Sequence, residues 1–450
     1  MKEIRLPNIA IRALLIIASG LMLTCCTDPL SQTPEEDTTM LWPAADDTGF
    51  WGFINEKGEM VIPAKYDRTY GFCGGKALVV IDEDGEPAPS YVGYQTSIFG
   101  WHYAFIDTKD NILYSFPEGY APLDHYFYYG CCRVEYNRVQ GMIDSQFNYV
   151  IPLEDRNYGI QIGVMTKDGL ASSTIGYYNK KGERAISRYI NGVDGNLYDV
   201  TNDFCDGVAV VGDYWDNGDT YPDRYGAINT KGELVIDTIY RSLQSVGNGR
   251  LLYKLYNDDS NCWGLMDTQG NIITKPFIFD SSISFFGDGG LMPVYKDRTY
   301  GYIDKDGNLQ IPYQYIAATP FCDGKAWVLP SDGYWKLSNL QGEVLLTLDL
   351  FDDPYTLFPA YGARNGLYLA RNYSEQFHYR YTYKYINQQG EVVYSWVEDS
   401  SSQYSNAPKR NEQAEQPEED RLLQMFEGTK YYPLASQCAQ RRKAQTADER

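Results

Sequence analysis

The sequence has few of the residues from which enzyme active sites are usually built. Its 450 residues include only three histidines, His102, His125 and His378, which lie far apart. None has a cysteine, serine or glutamate neighbour at the spacing of a metal site or a catalytic triad. The chain also lacks His-Glu-x-x-His, Gly-x-Ser-x-Gly and phosphate-loop motifs. The sequence therefore predicts no catalytic residue, no metal site and no cofactor.

Basic residues are scarce as well. The chain carries 39 lysines and arginines against 60 aspartates and glutamates, a formal net charge of −21. Such a surface repels phosphate backbones, and no basic stripe offsets the repulsion. The one basic cluster, Arg441-Arg442-Lys443, belongs to a tail that is also rich in acidic residues. We therefore expect no nucleic-acid partner.

Long apolar runs are absent except near the N-terminus, where Ala13 to Leu23 follows three basic residues. This run is shorter than the roughly 20 residues of a membrane span and has the flanks of a signal peptide. The following Leu23-Thr24-Cys25-Cys26 resembles a lipobox, with Cys26 as the lipidated residue and Cys25 as the alternative. We expect an exported protein, lipid-anchored to the bacterial cell membrane or outer membrane; secretion without an anchor is the other interpretation.

Nine cysteines in an exported chain raise the question of a disulfide framework. Three of them, Cys73, Cys205 and Cys322, occupy equivalent positions in separate repeats, and no Cys-x-x-Cys pair occurs. The sequence therefore favours a small, semi-buried repeat position over disulfides or zinc. Cys131 and Cys132 are adjacent in a predicted strand, so we expect only one of them to pack inward.

The chain does contain an internal repeat, represented by Trp51-Gly52-Phe53-Ile54-Asn55-Glu56-Lys57-Gly58 and the strand that follows it. About nine copies can be aligned on the apolar residue after the small one, mostly 35 to 38 residues apart. These residues are Phe53, Phe105, Met142, Tyr177, Ala227, Leu265, Tyr302, Leu337 and Tyr385. Repeats of this length are typical of solenoids, propellers and arrays, with insertions in the loops.

Each unit predicts about three short strands around a hairpin. An Asx residue caps the turn and a glycine three positions later accepts a positive φ. The residues assigned a structural role in the repeat are Trp51, Gly52, Gly58, Gly182, Gly232, Trp263, Gly264, Gly270, Gly301 and Gly307. In the third unit Phe147 replaces the turn glycine, so we expect a different turn or a slipped register at 144–148. Asp304 to Asn308 superficially resembles a calcium loop, but the repeating turn explains it better.

The Trp-Gly pairs at Trp51-Gly52 and Trp263-Gly264, with the Asx-x-x-Gly turns and Phe-x-x-Gly strand leads, resemble the bacterial WG-repeat family from about residue 50 to 397. The family implies no single activity and supplies no catalytic residue. For the architecture we predict all-β tandem antiparallel hairpins that form a curved open array or solenoid, with a β-propeller as the alternative. Nine units are more than the usual number of propeller blades, and the lengths of the units vary. Both observations favour the open array.

These observations divide the chain into a lipoprotein signal peptide (1–25), a tether (26–48), the repeat domain (49–397) and an acidic, polar tail (398–450). The tail is expected to be largely disordered, with a segment able to form a short helix.

Tyrosines are abundant in the insertions, where they favour recognition surfaces. We predict a non-catalytic binding or scaffold lipoprotein for a glycan, a peptide or an envelope protein, with ligand contacts from Tyr94, Trp101, Tyr128, Tyr379 and Tyr381. A glycosidase needs only two carboxylates, so a polysaccharide-acting or envelope-acting enzyme with carboxylates on repeat loops is the alternative.

Overall fold

The computed structural model describes residues 41–82, 101–154, 159–187, 198–200, 202–213, 224–256, 262–278, 285–287, 289–322, 324–348, 357–359, 366–373 and 380–399. All but Asp399 belong to one compact unit. The predicted signal peptide, Cys25, Cys26, Tyr94, Tyr379 and the tail from residue 400 lie outside the described residues. Within the described part, no helix is long and apolar enough to cross a membrane.

The described chain forms 33 strands and no helix, which confirms the all-β prediction. Strands that follow one another in sequence pair antiparallel, in eight sheets. Sheet 1 contains β1 (Trp42–Ala45), β2 (Trp51–Ile54) and β3 (Met60–Tyr66); sheet 2 contains β4 (Arg68–Thr69), β5 (Ala77–Asp82), β6 (Trp101–Ile106) and β7 (Ile112–Ser115); sheet 3 contains β8 (Tyr120–Pro122), β9 (Cys131–Tyr136), β10 (Val139–Asp144) and β11 (Tyr149–Ile151); sheet 4 contains β12 (Ile162–Met165), β13 (Leu170–Ser173), β14 (Gly176–Asn179) and β15 (Arg184–Ser187).

The second half of the chain continues in the same way. Sheet 5 contains β16 (Tyr198–Val200), β17 (Val208–Asp213), β18 (Arg224–Asn229) and β19 (Leu234–Tyr240); sheet 6 contains β20 (Ser242–Gly247), β21 (Arg250–Lys254), β22 (Trp263–Asp267) and β23 (Ile272–Ile278); sheet 7 contains β24 (Leu291–Lys296), β25 (Thr299–Asp304), β26 (Leu309–Ala318), β27 (Lys325–Pro330), β28 (Lys336–Asn339) and β29 (Val344–Thr347); sheet 8 contains β30 (Leu357–Pro359), β31 (Tyr368–Tyr373), β32 (Arg380–Ile386) and β33 (Val392–Asp399).

The eight sheets are the blades of a β-propeller, so the predicted open array is wrong. The last sheet packs on the first: one buried cluster joins Trp51 and Phe53 to Leu369, Tyr385 and Trp396. An open array would leave the apolar outer faces of sheets 1 and 8 in water, whereas a closed ring buries both.

The closing contact repeats contacts made inside the ring. The Tyr385 hydroxyl donates to the Pro43 carbonyl oxygen at 2.9 Å, from sheet 8 to sheet 1. Tyr177 donates in the same way to the Asn202 carbonyl oxygen at 2.7 Å, from unit 4 to unit 5. The contact between the last unit and the first is therefore of the same kind as the contact between two successive units. The variable length of the units does not prevent closure of the ring, because the extra residues lie in the segments that connect one strand to the next in sequence.

Nine sequence units form only eight sheets because β26 runs unbroken through sheet 7. Its first part pairs with β25, as in Tyr302 with Ile311, and its last part pairs with β27, as in Ala317 with Leu329. Between sheets 1 and 2 the equivalent chain is interrupted at Asp67, which separates β3 from β4. The units aligned on Tyr302 and Leu337 therefore share one six-stranded sheet.

The glycine of the Trp-Gly pair is required by the strand beside it. A Cβ atom at Gly52 would lie 2.3 Å from the Ile62 carbonyl oxygen, and one at Gly301 would lie 2.7 Å from that of Ile311. The ladder between β2 and β3 shifts register between Trp51 and Phe53, where β3 bulges over the glycine. A larger residue would push this strand outward.

The Asx turn is the same in the third unit as elsewhere, so the expected change of turn at 144–148 is wrong. Phe147 has a φ of 66° and donates its N–H to the Asp144 carbonyl oxygen at 2.9 Å, as Gly58 does to Asn55. The ring of Phe147 stacks on Tyr114 of sheet 2, with centroids 4.7 Å apart. This packing compensates for the roughly 1–2 kcal/mol that a left-handed conformation costs a residue with a Cβ atom.

Each sheet is covered on both faces by its neighbours. Cys132 packs with Phe105 of sheet 2, whereas Cys131 packs with Met165 of sheet 4, and both cysteines are buried. The expectation that only one of them packs inward is therefore wrong, because a sheet in a ring has two interior faces. Cys131 and Cys132 are free thiols.

The folded domain begins earlier in the chain than the predicted boundary at residue 49. Trp42 to Ala45, assigned to the tether, forms β1 and pairs with β2 across Trp42 and Ile54. Ala44 and Ala45 are buried in the cluster that closes the ring. Pairing this short segment gives the Trp-Gly strand of sheet 1 a partner on each side.

Candidate functional site

A cluster of aromatic and charged side chains lies where sheet 8 meets sheets 1 and 2. The Asx turns join paired strands at one end of the sheets, which we call the Asx end, and we call the opposite end the far end. The cluster is towards the far end, because Trp51 begins β2, Tyr381 is the second residue of β32, and Glu398 lies at the end of β33. We call it the closure site, formed by Trp51, Arg68, Arg371, Tyr381, Tyr383, Trp396 and Glu398.

Arg68 is held between an aromatic ring and a carboxylate. Its guanidinium carbon lies 4.4 Å from the centroid of a Trp51 ring. Its Nη1 lies 3.4 Å from Glu398 Oε1, and the two side chains are 25% and 10% exposed. A cation over a tryptophan face in a partly desolvated site contributes about 1–2 kcal/mol. Arg68 therefore links sheet 2 to sheets 1 and 8.

Tyr383 lies at the centre of the closure site. Its ring is parallel to Trp396, with centroids 4.9 Å apart and planes at 7°, and its hydroxyl donates to Glu398 Oε2 at 3.4 Å. Burial raises the pKa of Tyr383, and the Glu398 carboxylate raises it further, while Arg371 and Arg68 act in the opposite direction. The phenol consequently remains a hydrogen-bond donor at neutral pH.

Arg371 and Tyr381 form the more accessible part of the site. The Arg371 guanidinium carbon lies 5.2 Å from the Tyr381 ring centroid, and the Tyr381 and Tyr383 centroids are 6.4 Å apart. Both tyrosines and Arg371 are partly exposed. The site can thus present aromatic faces and a guanidinium group to a ligand. Glu398, the carboxylate of the site, is occupied by Arg68 and Tyr383, which does not suit it to act as a catalytic base.

Of the predicted ligand-binding residues, Tyr381 and Tyr128 have described side chains, and these two lie at opposite ends of their sheets. Tyr381 lies in the closure site, whereas Tyr128 lies in the turn between β8 and β9, half-buried and at the Asx end. Trp101 opens β6 with its backbone opposite Asp82, and its side chain is outside the described residues, as are Tyr94 and Tyr379.

A second feature is a cavity of about 410 Å³ at the Asx end, between sheets 5 and 6. It is lined by Asp206, Gly207, Val208, Asn229, Val235, Thr268 and Gln269. Asp206 has a φ of 52°, and its Oδ2 accepts the Gly249 N–H at 2.7 Å. Neighbouring Asp168 accepts the Gly207 N–H; burial raises the pKa of Asp168, and the charge of Asp206 adds to the effect. One carboxyl group beside the cavity is therefore more easily protonated than usual.

No group of three potential metal ligands occurs among the described residues. The calcium-like segment at Asp304 is an Asx turn: its Oδ1 accepts the N–H groups of Asp306 and Asn308, each at 2.9 Å. Burial alone would raise the pKa of Asp304, but these hydrogen bonds outweigh it and lower the pKa. The carboxylate is used by the turn itself.

Sequence reasoning missed Arg68, Arg371, Trp396 and Glu398. Arg68 and Glu398 are 330 residues apart in the chain, and no local pattern in the sequence distinguishes any of the four. Arg68 belongs to sheet 2 and the other three residues to sheet 8, so the closure of the ring is what brings Arg68 to them.

Four segments match the WG containing repeat. They are residues 51–83, 225–257, 263–298 and 300–335. The segments contain the units aligned on Phe53, Ala227, Leu265 and Tyr302, all of which keep the glycine before the aligned residue. Three of the unmatched units depart from the pattern there, with Ala104, Lys336 and Lys384 in place of the glycine.

No curated protein matches the sequence. Among solved structures the chain is similar to a eukaryotic initiation factor, at 10% identity and a TM-score of 0.48, over 81% of this chain and 96% of the other. It is also similar to BamB from Moraxella catarrhalis, at 12% identity and a TM-score of 0.32, over 71% and 98% of the two chains. The WD40 β-propeller domain of Doa1 has 12% identity and a TM-score of 0.25, over 42% and 65%. At these scores the similarities carry no information about function.

Proposed function

We propose that this chain is a non-catalytic binding or scaffold module that recognises a glycan, a peptide or an envelope protein at the closure site. The observation that carries the proposal is the partly exposed Arg371–Tyr381 pair beside the stacked Tyr383 and Trp396. Aromatic rings and arginine are the side chains most often responsible for binding energy at recognition surfaces. The ring of sheets holds them in place, because their backbones belong to paired strands.

The binding proposal is tested with glycan and peptide arrays on the full chain. Replacing Tyr381 by alanine is expected to weaken binding about tenfold or more, since it removes a stacking face and the partner of Arg371. The control is Tyr149→Ala, which removes a tyrosine that is 46% exposed on sheet 3. Unchanged binding in the Tyr381 variant would refute recognition at this site, as would a parent protein that binds nothing on either array.

We also propose that the protein is exported and lipid-anchored through Cys26, with Cys25 as the alternative. The motif Leu23-Thr24-Cys25-Cys26 supports this. In a bacterial host, Cys26→Ala is expected to move the protein from the detergent-extracted membrane fraction to the soluble fraction, because the acyl chains supply the attachment. Cys25→Ala serves as the matched variant. If a variant with both cysteines replaced by alanine stays in the membrane fraction together with the parent, a lipid anchor at either cysteine is ruled out.

A second candidate function is hydrolysis of a polysaccharide at the cavity between sheets 5 and 6. Asp168, with its raised pKa, and Asp206 on the cavity wall are two carboxyl groups in unlike environments, as an acid and a base require. Asp168→Asn and Asp206→Asn are each expected to reduce turnover by about 100-fold or more, whereas Asp332→Asn on sheet 7 should not. A parent protein that releases no reducing sugar from a polysaccharide panel would exclude this function.

A further inference from the structure

Two buried hydrogen-bond donors of the closure site have no acceptor among the described residues. They are Arg371 Nε and Trp396 Nε1. Trp396 is only 5% exposed, and its ring lies against Tyr383. Each unmade hydrogen bond of a buried polar group costs about 1–3 kcal/mol, and more for a charged group. The closure site therefore has more donors than the described chain satisfies.

The charges of the site are also unbalanced. Glu398 is shared between Arg68 and the Tyr383 hydroxyl, and the described structure gives Arg371 no carboxylate partner. The chain as a whole has a net charge of −21, so Arg371, which has no acidic partner among the described residues, stands out against a negative surface. Coulomb attraction at a partly buried arginine is less screened than on an open surface.

We infer that the closure site binds a carboxylate-bearing oligosaccharide, that is, an acidic glycan of the uronate class. This inference rests on the proposed binding function. The guanidinium group of Arg371 pairs with a carboxylate in a bidentate fork, which would give Nε its missing acceptor. Tyr381 and Tyr383, with centroids 6.4 Å apart, offer neighbouring faces on which pyranose rings can lie.

Tyr381 is the aromatic side chain next to Arg371, with its ring centroid 5.2 Å from the guanidinium carbon. The Tyr381 side chain is partly exposed, so a ligand that pairs with Arg371 would contact this ring. Binding is therefore expected to change the environment of Tyr381, whereas the buried Trp396 stays in place.

The experiment compares oligogalacturonate with its fully methyl-esterified form by calorimetric titration of the full chain. The two probes share the sugar rings and differ in the charge. The acid form is expected to bind at least about tenfold more tightly, with a difference that shrinks as salt is raised. Arg371→Gln should remove the preference for the acid form, and Arg371→Lys should keep part of it. Arg184→Gln, a change of an exposed arginine on sheet 4, should have no effect.

The outcomes separate this inference from the binding function on which it rests. Equal affinity for the acid and ester forms, or an acid preference that survives in Arg371→Gln, overturns the carboxylate assignment and leaves recognition at the closure site standing. An acidic peptide that displaces the oligosaccharide and binds more tightly also overturns it. A parent protein that binds neither probe and nothing on the arrays overturns both proposals. Should Arg371→Gln fail to fold, as judged by thermal unfolding, the acid-to-ester ratio and its salt dependence in the parent decide the question.

Discussion

Replacing Asp124 by alanine is expected to lower the free energy of unfolding by about 3–5 kcal/mol, because it leaves the guanidinium group of Arg133, whose side chain is 23% exposed, without its buried counter-ion. The Arg133 Nε lies 3.0 Å from both carboxylate oxygens of Asp124, and Arg133 Nη2 lies 2.6 Å from Oδ1. The Asp124 side chain is 4% exposed. Arg133 Nη1 also donates to the Ile162 carbonyl oxygen at 3.0 Å, so the pair joins sheet 3 to sheet 4.

The electrostatics of this pair support a large effect. Burial alone would lower the pKa of Arg133, but the charge and hydrogen bonds of Asp124 more than reverse that and raise it. Without Asp124, the cost of burying the guanidinium group remains and its compensation is lost.

The measurement is urea unfolding followed by tryptophan fluorescence, with Asp332→Ala as the matched control. Asp332 pairs with Lys336 four residues away, and its side chain is 45% exposed. Surface pairs of this kind contribute about 0–1 kcal/mol. If the Asp124 and Asp332 variants unfold at the same urea concentration, the ion pair between sheets 3 and 4 is not the strong link that its burial implies.

Replacing Gly58 by alanine is expected to lower the free energy of unfolding by about 3–5 kcal/mol. About 1–2 kcal/mol of this comes from the left-handed backbone and the remainder from overpacking. Gly58 has a φ of 79°, and a Cβ atom there would lie 2.1 Å from the Val393 carbonyl oxygen. Val393 belongs to sheet 8 and Gly58 to sheet 1, so the added methyl group would force the two ends of the ring apart.

Gly130→Ala is the control for backbone strain alone. Gly130 has a φ of 86°, but a Cβ atom there would meet nothing within 4 Å. The Gly130→Ala substitution should therefore lower the free energy of unfolding by only about 1–2 kcal/mol. The difference between the two variants in urea unfolding measures the contact that closes the ring, and limited proteolysis should cut the Gly58 variant first. Equal stability of the two variants would contradict closure through sheets 1 and 8.

Local features of the fold could be predicted because they depend on residues close in sequence. The turn at Asn55 to Gly58 needs an Asx side chain to accept the N–H groups of Lys57 and Glu59, and a glycine at positive φ. Phe147 shows the limit of this reasoning. Its conformation is unfavourable by local rules, but a stack on Tyr114 of the neighbouring sheet stabilises it.

The candidate site was only partly predictable for a similar reason. Tyr381 could be selected because tyrosines crowd its segment of the sequence. Its partner Arg371 could not be selected, because that contact depends on the register between β31 and β32. The Arg68–Glu398 pair nearby could not be selected either, because it depends on which sheets become neighbours.

The nine units and their Asx turns follow from local sequence, since side-chain capping and glycine conformation act over a few residues. Long-range packing sets the rest: most sheets have four strands rather than three, the units close into a ring, β26 joins two of them in one sheet, and both Cys131 and Cys132 are buried. The reason is that a unit meets every neighbour through much the same apolar faces. Whether the outer face of the last sheet is left in water or is covered by the first sheet depends on the whole chain and cannot be read from a single repeat.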